Sequence, residues 1–310
     1  MAGVVLLAGS MLAISAAPTK AATPGYLTIQ FGRSMEGSYI LGQGSTACAP
    51  VPGILTLSQI AQDLQTRGMT ATAAVVVSFT KSTAESCIDG DIYADWADLQ
   101  SLNALYGWHV VSAGVTYSNI TTMTSAQQQA ESCGSLPSFT AEGLNADGLF
   151  AYPNNWWNTT VQTKVVSTCF DYGRNYKNVA NNESTMNPDG IQNTIGIVGG
   201  ACDTVGAPCY RPISGQKNKR YENPATFEAL VAREGTAQWI DLQIYKLVSG
   251  SSSDGMYSWD CTSSDPTLHW TSQPELYCQN DFDAILNSVP AGIVVTDPAS
   301  VAAAWGRVIP

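Results

Sequence analysis

Apolar and polar residues follow two alternating periods along most of the chain. Residues 26–30 and 73–79 have the composition of short strands, and the second run is apolar on both faces, as in a buried parallel strand. Between them, apolar residues recur at helical spacing over 57–64 before Gly68. The same patterns predict helices over 96–106, 125–133, 161–168, 224–231, 281–289 and 298–305, and strands over 109–113, 149–152, 169–172, 238–248 and 293–296.

Regular alternation of strands and helices predicts an α/β fold built on a parallel sheet or a (β/α) barrel. No linker divides the chain, so we expect a single domain over residues 23–310. The sequence from Tyr172 to about Tyr221 is rich in Gly, Asn, Pro and Cys, which favours a disulfide-tied loop insertion.

The first 22 residues resemble a signal peptide, with an apolar run over 4–14 followed by small residues that suit a signal peptidase. We therefore expect a secreted protein, although a buried first helix is the alternative. No later stretch reaches the roughly 20 apolar residues that a membrane span needs.

Export makes the even number of cysteines interpretable, because cysteines outside the cytoplasm usually pair. Cys202 and Cys209 flank a short Gly-Ala-Pro turn, and Cys261 and Cys278 flank an aromatic loop, so both pairs can close locally. By elimination, Cys48 pairs with Cys87 and Cys133 with Cys169. A zinc site is the competing interpretation, but no Cys-x-x-Cys occurs.

Composition narrows the function classes. Only 13% of the residues are charged, and the formal net charge is −11. Nucleic acid is excluded as a partner, since affinity for phosphate backbones comes from Lys and Arg. With two histidines in 310 residues, histidine-based metal or acid/base chemistry has few candidates.

Five segments together resemble the polysaccharide deacetylases of the NodB-like type, whose fold is an irregular (β/α) barrel. LTIQFG stands where that family has Thr-Phe-Asp-Asp-Gly, and VTYSN where it has His-Thr-x-x-His. FAYP occupies the place of Phe-Arg-Pro-Pro. QDLQTRGMTATAAVVVSF and the closing DFDAILNSVPAGIVVTDPASVAAAW are similar to the helix–strand passages of the family.

The resemblance also implies catalytic positions, and most of them are substituted. The family's base and first metal ligand fall on Gln30 and Phe31, and its general acid on or near Gln243. Its two metal histidines fall on Val115 and Asn119, and its arginine falls on Ala151. A metal polarises the acyl carbonyl in that mechanism, so we expect no metal, no cofactor and no ordinary deacetylation here. The chain then reads as a pseudoenzyme.

Polar and aromatic residues remain at the strand ends where barrel sites are built. We expect a neutral sugar-binding floor, with tryptophans offering apolar faces to a glycan. The candidate substrate-binding residues are Gln30, Arg33, Asn119, Asn154, Gln243, Trp156 and Trp270.

Two arrangements would support catalysis instead. Asp171 and Asp241 could form a carboxylate pair for glycoside hydrolysis. His269, which has Asp260 and Asp265 near it in sequence, could act as an acid or base, although a loop histidine packed near a disulfide is the alternative. His109 opens a buried strand and is expected to be structural.

The leading hypothesis is a secreted, deacetylase-like protein that acts on or binds a cell-wall or extracellular polysaccharide. An extracellular glycan hydrolase that uses Asp171, Asp241 or His269 is the first alternative. A structural or protein-binding exoprotein is the second. The sequence leaves the polymer and the oligomeric state open.

Overall fold

The computed structural model describes the protein in segments. These are residues 25–32, 35–38, 52–81, 86–88, 91–146, 148–162, 167–176, 181–182, 191–194, 238–254, 257–265, 269–271 and 276–306. The signal peptide, Arg33, Cys48, Cys202 and Cys209 lie outside the described residues, as does the helix predicted after Asn223. The side chains of Cys87 and Trp270 lie outside them too.

Strands and helices alternate along the described residues, as the periodicity predicts. The strands are β1 (Gly25–Phe31), β2 (Met35–Ser38), β3 (Thr72–Val75), β4 (Ser86–Ile88), β5 (Asp91–Tyr93), β6 (His109–Ser112), β7 (Leu149–Ala151), β8 (Tyr172–Tyr176), β9 (Asn181–Asn182), β10 (Ile191–Thr194), β11 (Gln238–Ile244), β12 (Lys246–Val248), β13 (Ser251–Asp254), β14 (Tyr257–Asp260), β15 (Trp270–Thr271), β16 (Leu276–Cys278) and β17 (Ile293–Thr296). The helices are α1 (Leu57–Thr66), α2 (Trp96–Tyr106), α3 (Ser125–Glu131), α4 (Leu136–Ala141), α5 (Thr159–Val161), α6 (Ser167–Cys169), α7 (Gln279–Asn287) and α8 (Pro298–Ala304).

The main sheet has the strand order β10-β8-β7-β6-β3-β1-β11-β9. Its neighbours pair in parallel except β11 and β9. On its β3 side, β1 also pairs with β17, which covers the first half of β1 while β3 covers the second. Strand β10 approaches β11 and β9 to within 8 Å between Cα atoms, so the two ends of the sheet meet. The predicted α/β class with an irregular (β/α) barrel is confirmed.

Successive residues of β1 point alternately to the two faces of the sheet. Leu27, Ile29 and Phe31 pack on the outer face with apolar residues of α1, α2 and α7. Tyr26 belongs to a second cluster inside the curled sheet, and Thr28 bonds to side chains of β11 on that same inner face. The inner face is therefore partly polar.

The outer helices form where local signals specify them. Thr56 and Asp95 cap α1 and α2 with reciprocal hydrogen bonds to the third helical residue. Gly107 ends α2 in the left-handed conformation, at φ 65°. None of the helices in the described part of the chain has the length and apolar character needed to cross a bilayer.

The last helix, α8, closes the end of the barrel where β1 and β11 begin. Trp305, which follows α8, packs edge-on against Tyr26 and Trp239, with ring centroids 6.3 and 5.7 Å apart. Asp297 caps α8, and its Oδ2 lies 3.6 Å from His109 Nε2. This contact agrees with the structural role expected for His109.

Two of the predicted disulfides are present. Cys133 bonds to Cys169, and Cys261 bonds to Cys278. The first ties the segment after α3 to α6, and the second joins the end of β14 to β16. Both pairs are those expected from the cysteine positions.

Three predicted strands differ from the structure in where they begin, end or continue. The strand predicted over 169–172 is wrong, because pairing with β7 begins only at Tyr172, opposite Leu149. Strand β3 ends at Val75, and the next residues bend into a 3₁₀ turn whose amides donate to the carbonyls of Gly114 and Val115. The run 238–248 is broken at Tyr245 into β11 and β12.

Candidate functional site

Polar side chains line the inner face of the neighbouring strands β1 and β11. Thr28 pairs with Asp241, and Gln30 pairs with Gln243 one step further along. The Thr28 hydroxyl donates to Asp241 Oδ1 at 2.8 Å and accepts from the indole nitrogen of Trp239 at 2.9 Å. All five residues are buried. The core of the barrel is therefore a hydrogen-bonded row rather than purely apolar packing.

Above this row, the carboxyl ends of the strands surround a narrow opening, which we call the mouth. Arg174 of β8 crosses it and donates from Nη1 to Gln243 Oε1 at 2.5 Å. The mouth encloses about 190 Å³ of empty space, a total that includes open solvent. Only about 10 Å³ is open to the centre of a water molecule, which is room for about one water. The lining residues are Gly32, Ala74, Ala113, Tyr117, Ala151, Tyr152, Arg174, Gln243 and Tyr245.

Small residues create this opening. Ala74, Ala113 and Ala151 face it from three neighbouring strands or the residue just beyond. A Cβ atom at Gly32 would lie 2.3 Å from the ring of Tyr245 and 2.7 Å from the amide nitrogen of Gln243. Glycine at position 32 therefore lets both side chains lie directly against the backbone of β1.

Aromatic side chains form the rim of the mouth. Tyr117 and Tyr245 line it directly, and Phe79 packs 6.2 Å from Tyr117 and 4.8 Å from Tyr93 between ring centroids. Tyr117 adopts a left-handed conformation with φ 62°, which is uncommon for a bulky residue. Its hydroxyl accepts from the backbone nitrogen of Asn154 at 3.3 Å.

A buried carboxylate supports the loop that carries Tyr117. Glu131 accepts from the backbone nitrogen of Thr116 at 2.9 Å and from its hydroxyl at 2.7 Å. A Cβ atom at Gly114, where φ is 93°, would lie 2.7 Å from Glu131 Oε1. Glu131 thus stabilises the strained backbone that places Tyr117 at the rim.

The ionisable groups at the site differ in burial and in charge. Burial raises the pKa of the Asp241 carboxyl, and the Arg174 guanidinium and the Thr28 hydroxyl partly oppose that shift. Burial also raises the pKa of the Tyr152 hydroxyl, so that it stays neutral and can donate. Arg174, by contrast, is charged at any physiological pH. The residues that line the mouth therefore contribute one positive charge.

Several of the predicted substrate-binding residues lie at or under the mouth. Gln243 lines it, and Gln30 lies beside Gln243 in the next strand. Asn154 contacts Tyr117 at the rim, and the half-buried Trp156 follows the turn Pro153–Asn155 at the same end of β7. Their role in binding stays a prediction, but the structure brings Gln30 and Gln243 together and places Asn154 in contact with the rim.

Two other predicted residues have different surroundings. Asn119 caps a 3₁₀ turn, where its Oδ1 accepts from the nitrogen of Thr121 at 3.1 Å and from its hydroxyl at 2.7 Å. Trp270 lies in β15, which belongs to the separate three-stranded sheet β13-β14-β15. Asn119 is not among the described residues that line the mouth.

The position expected for Asp171 is wrong. It precedes β8 and donates its backbone nitrogen to Gly148 O at 2.7 Å, at the end of the barrel opposite the mouth. The strand begins later than predicted, so the residue that reaches the mouth is Arg174. Asp171 and the buried Asp241 thus do not face a common opening, which removes the geometric basis for a hydrolytic pair.

His269 is enclosed rather than presented to a ligand. Its Nε2 lies 2.8 Å from the carbonyl oxygen of Ser263, and its Nδ1 lies 2.8 Å from Asp281 Oδ2. The side chain is 3% exposed and lies beside the Cys261–Cys278 disulfide. Both ring nitrogens are engaged, so this arrangement matches the alternative of a packed loop histidine.

The implied divalent metal does not fit these residues. Neither a carboxylate nor an imidazole lines the mouth within the described segments, whereas a guanidinium, which repels cations, does. Elsewhere, ligand atoms of His269, Cys278 and Asp281 lie within 4.8 Å of one another. There, Cys278 is tied up in a disulfide and lacks the thiolate that binds zinc.

Arg174, Tyr152 and Tyr245 are the site residues that sequence reasoning misses. Arg174 stands in YGRNY, which has the composition of a loop, and only its pairing with β7 makes it a strand residue that faces inward. Tyr245 occupies the break between β11 and β12. An isolated arginine inside a strand-length run is the one signal that could have drawn attention to β8.

No family model matches this sequence, and no curated protein matches it either. Solved polysaccharide deacetylases are among its structural neighbours. A probable polysaccharide deacetylase from Pseudomonas aeruginosa is 10% identical, with a TM-score of 0.47 over 92% of each chain. A family 4 carbohydrate esterase from Streptomyces lividans is 14% identical, with a TM-score of 0.38 over 72% of this chain and 80% of that one.

The neighbours do not share one activity. The protein described as Puue allantoinase is 11% identical, with a TM-score of 0.45 over 94% of each chain. The expected likeness to polysaccharide deacetylases is thus confirmed among solved structures. At identities of 14% or less and TM-scores of 0.47 or less, it says nothing about the chemistry of this chain.

Proposed function

We propose that the protein binds carbohydrate at the mouth of its barrel and does not carry out metal-dependent deacetylation. The observation that supports this is the composition of the mouth, where tyrosine rings surround a floor of amide and guanidinium groups. A sugar ring has apolar C–H faces that pack on aromatic rings and hydroxyls that bond to amides. Both surfaces are present here within one opening.

The size of the mouth indicates how a glycan would dock. Room for about one water-sized group admits a single small substituent of a sugar rather than a sugar ring. The ring itself would then rest on the partly exposed Tyr117, beside the buried Tyr245, with one substituent inserted between the strands. Such an arrangement favours recognition of a chain end or a side group.

Filling the mouth should abolish carbohydrate binding. In Ala113→Leu, three additional carbon atoms would occupy the opening, at a stability cost of about 1–3 kcal/mol for overpacking. Ala97→Leu adds the same atoms at an exposed position on α2 and is the matched control. We expect glycans that bind the unaltered protein in a printed panel and in calorimetry to bind Ala97→Leu equally and Ala113→Leu not detectably.

The same protein should also be tested for deacetylation, which we expect to be absent. Acetylated glycans incubated with the protein, with and without added zinc, should release no acetate above background. Robust zinc-dependent release would show that a metal site exists, and equal glycan binding by both leucine variants would place the carbohydrate elsewhere on the surface.

We also propose that the protein is exported. The apolar run over residues 4–14 and the Cys133–Cys169 and Cys261–Cys278 disulfides support this, since disulfides persist in oxidising compartments. Protein recovered from culture medium should begin near residue 23, as measured by mass spectrometry of the intact chain. Accumulation inside the cell with residues 1–22 retained would contradict export.

A further inference from the structure

Several buried polar side-chain atoms have no hydrogen-bond partner among the described residues, and two of them lie side by side in adjacent strands on the inner face of the barrel. They are the amide nitrogen of Gln30 and the hydroxyl of Thr72. Gln30 is 1% exposed and Thr72 is fully buried. An unpaired buried donor costs about 1–3 kcal/mol, so two in adjacent positions indicate a site that something else completes.

Both groups lie directly beneath the mouth. Gln30 pairs in register with Gln243 on one side and with Thr72 on the other, which puts the three side chains in one row. Two residues further along the same strands, Gly32 and Ala74 line the mouth. Since Gly32 has no side chain and Ala74 a single methyl group, little separates the mouth from the row below.

The groups that converge here are mainly donors. The Gln30 amide nitrogen, the Thr72 hydroxyl and the Arg174 guanidinium can all donate, and Arg174 lines the mouth directly above the row. A partner for this set must present acceptors. Guanidinium groups select planar anionic acceptors, above all carboxylates.

We propose that the mouth takes the carboxylate of a sugar acid, held by Arg174, the Gln30 amide and the Thr72 hydroxyl. This inference rests on the proposed carbohydrate binding and names its substrate class. One carboxylate oxygen takes about the space of a water molecule, which matches the room in the opening, while the pyranose ring would remain on the tyrosine rim. The carboxylate also supplies the acceptors that Gln30 and Thr72 lack.

Asp241 is the negative group nearest this row. It lies two residues deeper in the barrel, where Thr28 donates to its Oδ1 and the Arg174 guanidinium partly offsets its charge. The formal charge of the whole chain is −11, so distant charges repel an anionic sugar. Attraction must therefore come from the short-range contacts in the mouth.

Methyl β-glucuronide and methyl β-glucoside make the sharpest pair of probes, because they differ only by a carboxylate or a hydroxymethyl group on the ring. We expect the full-length, disulfide-bonded protein to bind the glucuronide at least tenfold more tightly than the glucoside in calorimetry, because hydrogen bonds to a charged group are stronger than those to a neutral one. Acetate, tested alone, should bind more weakly than the glucuronide because it lacks the ring.

Two near-isosteric variants separate recognition from folding. Gln30→Met and Thr72→Val each remove a group that has no protein partner, so thermal stability should be unchanged or higher. Each should nevertheless weaken binding of the glucuronide by about tenfold and leave binding of the glucoside unchanged. Gln62→Met, at an exposed position of α1, is the control and should change neither.

The alternatives give different results. Equal affinity for the two glycosides would overturn carboxylate recognition and leave carbohydrate binding intact. Acetate binding as tightly as the glucuronide would overturn the sugar acid in favour of a free carboxylate. Failure of the whole glycan panel would instead overturn the proposed function. Lower stability of Gln30→Met and Thr72→Val without loss of glucuronide affinity would assign these residues to folding alone.

Discussion

Replacing Arg174 with methionine is expected to lower the free energy of unfolding by about 3–5 kcal/mol at pH 8, the loss typical when one member of a buried charge pair is removed. Arg174 is 4% exposed, donates to Gln243 and offsets the buried charge of Asp241. Methionine fills a similar volume, so the loss would come from charge and hydrogen bonding. Urea unfolding followed by tryptophan fluorescence measures it.

The pH dependence of this loss identifies its cause. Without the guanidinium, the pKa of Asp241 in the folded protein would lie still further above that of the unfolded chain. The folded state would then hold its proton more tightly, so stability is present at low pH and is lost as the pH rises through that pKa. The deficit of Arg174→Met should therefore shrink towards pH 4.

A second substitution completes the experiment. In Arg174→Met/Asp241→Asn the buried negative charge is gone as well, and most of the lost stability at pH 8 should return. Arg67→Met, on a half-buried helical arginine paired with Asp63 and Asp283, should cost about 1 kcal/mol or less. If the double variant is no more stable than Arg174→Met, the two charges do not interact as we infer.

Truncating Trp239 to alanine should cost about 3–5 kcal/mol, as for other buried aromatic residues. Its indole is fully buried, contacts Trp305 and donates to Thr28, so alanine would leave both a cavity and an unpaired hydroxyl acceptor. Thermal unfolding at neutral pH measures the effect, and we expect a large fall in Tm.

Two companion variants show what each part of Trp239 contributes. Trp239→Phe retains much of the ring but not the N–H, and should lose about half as much stability or less. Trp156→Ala removes a half-buried indole and should hardly alter Tm. A small cost for Trp239→Ala would mean that the interior of the barrel can collapse around the missing ring.

The helices were the most predictable elements, because their signals are local. Over 57–66 and 96–106, apolar spacing, an N-cap side chain and a terminal glycine occur within a dozen residues. The same holds for α8, which Asp297 and Pro298 begin. Strand β8 was misplaced by three residues because its limits depend on pairing with β7, which the run CFDYGRNY does not encode locally.

The candidate site was predicted only in part, because the residues that reach it depend on where each strand begins. Gln30 and Gln243 were found because a polar residue inside an apolar strand is unusual in any register. Asp171 was assigned to the mouth because the strand was placed too early, and that error hid Arg174. The two histidines turned out to be bound by carboxylates, His109 by Asp297 and His269 by Asp281, partners that are 188 and 12 positions away.

The position of β1 between β3 and β11 also constrains the order in which the chain can fold. Its neighbour β11 lies more than 200 positions later, as the 213-residue separation of Thr28 and Asp241 shows, and β17 is later still. During synthesis β1 therefore has an unpaired edge until nearly the whole chain exists. Such distant pairing slows folding and leaves an aggregation-prone intermediate with an unpaired strand edge. An unfolded precursor would therefore depend on chaperones that shield this strand.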